Sequence, residues 1–130
     1  MYPIEQKAMA PEISNKIDES GVVAVLVVDE LKHATPVAAA LLEGGVNAIE
    51  LTLRTPVALD TAAAIKKKFP EICLGIGTVL TVDQVKAIAD IGVDFEVAPG
   101  CNPKIIEAAQ KNGVSYAPGI STASELELAV

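Results

Sequence analysis

The chain punctuates itself with a repeated stop and start. Gly45-Val46-Asn47, Gly92-Val93-Asp94 and Gly113-Val114-Ser115 each put a glycine where a helix should end and a strand begin. Glycine suits that place because it takes the left-handed backbone conformation that closes a helix. Helix starts recur as well, in Thr35-Pro36-Val37-Ala38, Thr55-Pro56-Val57-Ala58 and Asn102-Pro103. Each offers a capping side chain and then a proline, whose missing N–H costs nothing in the first turn. Thr81 with Gln84, and Thr122 with Glu125, have the spacing of capping boxes. Such a chain must alternate helices and strands with short links, which makes the strands parallel.

The strands fall between these marks. Val22–Val28 is a continuous apolar run rich in β-branched residues and reads as a strand buried on both faces. Further strands are expected over Ala48–Leu53, Ile72–Ile76, Phe95–Ala98 and Ser115–Ala117. A short helix is expected over residues 11–20, with Ile13 and Ile17 on one face and Gly21 as its stop. The reading is an α/β chain, a helix followed by about five βα units, forming one domain over residues 1–130. Polar or small residues mark the C-terminal ends of the strands, at Glu50 to Arg54, Gly75 to Thr78, Ala98 to Gly100 and Pro118-Gly119. A (β/α)8 TIM barrel carries its site at that end. A dinucleotide-binding sheet would want G-x-G-x-x-G after its first strand, and Asp29-Glu30-Leu31 stands there instead.

The second strand carries the chemistry. Glu50, Thr52 and Arg54 alternate with Ile49, Leu51 and Leu53, so the polar set shares one face. In a sheet covered by helices, an ionised Glu and an Arg need partners or a task. They form either a structural ion pair at the mouth of the sheet or part of a catalytic site. Composition narrows the partners. A net charge of −7, a pI near 4.6 and 3 % aromatic residues disfavour nucleic acid and anionic membrane. Lys66-Lys67-Lys68 looks like a helix C-terminus, where cations suit the dipole. Cys73, Cys101 and His33 make no metal-ligand set, and reduced thiols fit a cytoplasmic protein. The first residues, with Glu5 and Lys7, show no apolar run of signal-peptide length.

Four motifs in register resemble one family. Gly44-Gly45-Val46 with Ile49-Glu50-Leu51-Thr52-Leu53-Arg54-Thr55, then Gly75-Ile76-Gly77-Thr78-Val79-Leu80, Val97-Ala98-Pro99-Gly100 and Pro118-Gly119 are similar to the 2-keto-3-deoxy-6-phosphogluconate (KDPG) and 4-hydroxy-2-oxoglutarate (KHG) aldolases. The resemblance runs over residues 12–130. It implies a TIM barrel, a homotrimer and a class I aldolase needing no metal or other cofactor. Its small-molecule partner would be a 2-keto acid. It implies Glu50 as the acid/base carboxylate, Arg54 and Thr78 as ligands of the pyruvate-side carboxylate, and Pro99 as part of the pocket wall. The rivals are another phosphosugar barrel enzyme, or a non-catalytic half-barrel associating through its edges.

In this family the Schiff-base lysine lies on the sixth strand, and residue 130 is expected to fall in the helix before it. The nine lysines are Lys7, Lys16, Lys32, Lys66, Lys67, Lys68, Lys86, Lys104 and Lys111, and none lies in an expected strand. Five strands do not close a barrel of eight, so the chain is expected to be the N-terminal part, about 60 %, of a barrel of ~200 residues. Glu96 is the odd residue. By alternation it points toward the helices, where an apolar residue belongs and a neighbouring Lys is its one expected partner.

Overall fold

The structure, a computed structural model, describes residues 9–129; Glu5, Lys7 and Val130 lie outside them. Helix α1 (Pro11–Ser20) precedes five strands, β1 (Val23–Leu26), β2 (Ala48–Thr52), β3 (Cys73–Gly77), β4 (Phe95–Val97) and β5 (Ser115–Ala117). They alternate with α2 (Ala34–Glu43), α3 (Ala58–Lys68), α4 (Val82–Ile91), α5 (Pro103–Asn112) and α6 (Ala123–Ala129). All pairings are parallel and the strand order is β1-β2-β3-β4-β5. A doubly wound sheet reverses its order at a switch point. This one does not, so the chain follows the winding of a barrel wall.

Two cores flank the sheet. Ile49, Leu51, Leu74 and Ile76 face the helices and pack with Ala62, Ile65, Val85, Ile88, Ile105 and Ala109. The opposite face is concave. At its N-terminal end Ala48, Cys73 and Phe95 pack beneath Ile13 and Ile17 of α1. Burial raises the Cys73 thiol pKa, with Asp94 adding to the effect, and both cysteines are free.

The helix stops lie where the glycines mark them. Gly21, Gly92 and Gly113 cap α1, α4 and α5 in the left-handed conformation. Thr81 and Gln84 form a complete capping box, Asn102 caps Lys104 N–H, and Thr122 caps Glu125 N–H. Two expected caps fail. Thr35 lies inside the first turn of α2, which is entered from a 3-10 turn over Leu31–His33. Thr55 instead donates its hydroxyl to Val28 O at 2.7 Å, tying the exit of β2 to that of β1.

The first strand also departs from expectation. Val22, Val25 and Val27 are more than half exposed, so this segment is not buried on both faces. Among the described residues β1 pairs with β2 alone, and Val25 looks into the open concave side. Asp94, the last residue of the Gly92-Val93-Asp94 motif, is a junction. It accepts Leu74 N–H at 2.9 Å and Lys66 Nζ at 2.5 Å, with Lys16 at 3.5 Å. Lys66 also donates to Ile72 O, so the end of α3 is tied to the start of β3.

Candidate active site

The concave face is built in layers set by the strand register. Val25, Glu50, Gly75, Phe95 and Ser115 stand side by side across the five strands. Thr52 and Gly77 make the next layer toward the C-terminal end. Two glycines here stand directly against neighbouring side chains. A Cβ on Gly75 would collide with the Phe95 ring, and one on Gly77 with the Glu50 carboxylate. The space over these glycines is filled by the Phe95 ring and the Glu50 side chain.

Glu50 lies partly buried at mid-strand. Among the described residues no hydrogen bond or ion pair engages its carboxylate, which removes the structural ion pair with Arg54. Desolvation raises its pKa above the ordinary 4.5, and the positive charge of Arg54 works against that rise. Arg54 sits two residues beyond the end of β2 and is exposed, with no ion pair among the described residues. Thr52 is buried and donates to Leu26 O at 3.2 Å, so its hydroxyl ties strands together.

Thr78 follows Gly77 at the exit of β3. It is the one non-glycine with positive φ, 65°, among the described residues. A β-branched residue rarely adopts that conformation, and such strain persists where the surroundings impose it. No hydrogen bond among the described residues uses its hydroxyl, so it does not cap the following loop. The turn presents a half-exposed Thr beside the Gly77 platform under Glu50.

Pro99 lies two residues beyond the end of β4. It borders a cavity of about 260 Å³ with Val79, Leu80, Ala98, Cys101 and Ile105, where Glu50, Arg54 and Thr78 contribute nothing. Its carbonyl is covered by Gly119, where a Cβ would strike it, and Gly119 N–H donates to Ala98 O at 2.9 Å. Gly119, marked in the sequence only as a small residue at the end of a strand, is demanded by the close approach of two loop backbones.

No described lysine lies on a strand. Lys32 pairs with Glu30, Lys111 with Glu107, and Lys66 with Asp94. Among the described residues no group of His, Cys, Asp or Glu could hold a metal ion, and no helix is long and apolar enough to cross a membrane.

A barrel-type parallel sheet with a partly desolvated carboxylate on its concave face, unpaired among the described residues, has the equipment of an acid–base enzyme. The comparisons make that class specific. The family model for KDPG and KHG aldolase matches residues 13–130, and the chain belongs to this aldolase family of lyases. The KHG/KDPG aldolase of Escherichia coli K12 is 45 % identical over 107 residues, which cover 82 % of this chain and 50 % of that one. Among solved structures, the 2-keto-3-deoxy-6-phosphogluconate aldolase of Zymomonas mobilis ZM4 with 3-phosphoglycerate superposes with a TM-score of 0.83 at 34 % identity. It covers 93 % of this chain and 57 % of its own. The KDPG aldolase of Legionella pneumophila, with pyruvate captured as a covalent carbinolamine, gives 0.82 at 36 % identity, covering 88 % of this chain and 56 % of its own. The chain spans about half the length of the curated relatives it matches first.

Proposed function

We propose that this chain supplies the acid/base and carboxylate-binding part of a class I aldolase. The reaction is cleavage of 2-dehydro-3-deoxy-6-phosphogluconate to pyruvate and glyceraldehyde 3-phosphate, the Entner-Doudoroff step. Cleavage of 4-hydroxy-2-oxoglutarate to pyruvate and glyoxylate is the companion activity. The observation that carries this reading is Glu50, partly desolvated, without an ion pair among the described residues, seated against Gly77 and near enough to Arg54 to feel its charge.

Imine formation passes through a carbinolamine, the species captured in the Legionella relative. Losing water from it requires a proton on the departing hydroxyl, and breaking the C–C bond requires a base for the substrate hydroxyl. A carboxyl group with a raised pKa serves both steps, first as acid and then as base. Arg54 offers parallel N–H donors to the pyruvate carboxylate, and the Thr78 hydroxyl offers one more. Pro99 is assigned to the wall of the same pocket by family resemblance. By family resemblance the attacking amine belongs to a lysine on a sixth strand, and none of the described lysines lies on a strand. Family resemblance also supports a cytoplasmic homotrimer.

The test is a chimera joining this chain to the unmatched half of the Escherichia coli relative. It should cleave the phosphorylated keto acid and gain one reduced pyruvate on borohydride treatment. A folded chimera that does neither overturns the proposal.

A further inference from the structure

Glu96 is the one acidic side chain buried completely among the described residues, with 0 % exposure, and neither carboxylate oxygen has a hydrogen-bond partner. It stands on the helix-facing side of β4, between Ile76 of β3 and Tyr116 of β5 in the strand register. Tyr116 packs against the main core, and its own hydroxyl is buried with no partner. Two unsatisfied polar groups therefore lie on adjacent strands, facing the same helical layer. The expected lysine is absent from this layer. The charged residues of α4 (Asp83, Lys86, Asp90) and of α5 (Lys104, Glu107, Lys111) are all exposed. Asp94 is occupied by Lys66, Lys16 and Leu74 N–H. Ile76 is apolar, so Tyr116, with Cys101 beyond it, supplies the titratable neighbours.

We propose that Glu96 is stored as a neutral acid between the sheet and its helices, and that ionising it loosens β4 and β5 from α5. The loop after β4, which carries Pro99 and the cavity wall, then becomes responsive to pH. A carboxylate with no cation and no donor is costly in an apolar layer, whereas the neutral acid is tolerated. Once charged, it must capture the Tyr116 O–H or reach water, and either shift repacks β4 against β5. Burial alone pushes the Glu96 pKa up to about 7, and burial, then Cys101 and Glu96, push Tyr116 up to about 12.

The sign follows from proton linkage. An acid whose folded pKa exceeds its unfolded one stabilises the fold at low pH, and that contribution is lost as pH rises from about 4.5 to about 7. Unfolding of the purified chain and of Glu96→Gln should be compared from pH 5 to pH 8, with hydrogen exchange at Val97 and Ala117. The wild-type folding constant should fall at least about tenfold more than that of the variant, and protection at these amides, taken relative to the intrinsic base-catalysed rate at each pH, should fall only in the wild type. Parallel pH curves overturn the proposal. Should Gln fail to fold, Glu96→Met removes the same ionisation without adding amide donors. The infrared band of a neutral carboxylic acid, present at pH 6 in the wild type and tied to Glu96 by its loss in the variant, is a second readout. Its absence from the wild type also overturns the proposal.

Discussion

Glu50→Gln in the chimera lowers kcat for aldol cleavage by about 10²–10⁴, the span that a positioned acid/base group contributes. Gln keeps the shape that rests on Gly77 but neither donates nor accepts a proton at the reacting hydroxyls. Folding and KM should therefore change little, which separates lost chemistry from lost binding. The pH profile adds a signed test. Burial raises the Glu50 pKa and Arg54 lowers it, so Arg54→Ala removes the opposing charge. The acidic limb of kcat/KM should then move to higher pH. A limb that stays in place would assign that titration to another group.

Gly75→Ala is expected to destabilise the chain by about 2–3 kcal/mol, the upper part of the range for overpacking a filled core. The new methyl group would meet the ring of Phe95, which is 3 % exposed and held between the sheet and α1. The ring has little room to yield because Ala48, Cys73, Ile13 and Ile17 close around it. Urea unfolding should show a lower midpoint with an unchanged slope. Phe95→Leu vacates part of the space, so the double variant should lose less than the sum of the two single losses. Strict additivity would mean that the methyl and the ring do not meet.

Much of the fold could be read from short-range signals. The glycine stops, the Thr81–Gln84 box and the alternation of Ile49 to Thr52 are local, and each survives in the structure, although β2 ends at Thr52, one residue short of the expected strand. Failures came where a distant partner decides the outcome. The apolar run Val22–Val28 has the composition of a strand buried on both faces, yet exposure depends on what lies beside β1 and across the concave side. Thr35 and Thr55 have the sequence of helix caps. The 3-10 turn before α2 and the carbonyl of Val28 override that preference.

The site was legible in part for the same reason. Glu50 follows from alternation within one strand, whereas Arg54 falls two residues beyond its end and the seat of Glu50 on Gly77 needs the β2–β3 register. Thr78 gave no sign of its positive φ, since backbone strain is imposed by packing around it. The orientation of Glu96 could be inferred from period two. Its lack of a lysine partner required knowing where α4 and α5 point their charges.

The most direct test of the Glu50 site is titration of the isotope-labelled chain with pyruvate, followed by amide resonances and by intact mass after borohydride treatment. The account predicts saturable shifts at Glu50, Arg54, Gly77 and Thr78, their loss in Arg54→Ala, and no covalent adduct on any of the nine lysines. Shifts confined to the cavity beside Pro99, or a reduced pyruvate on one of those lysines, would contradict it.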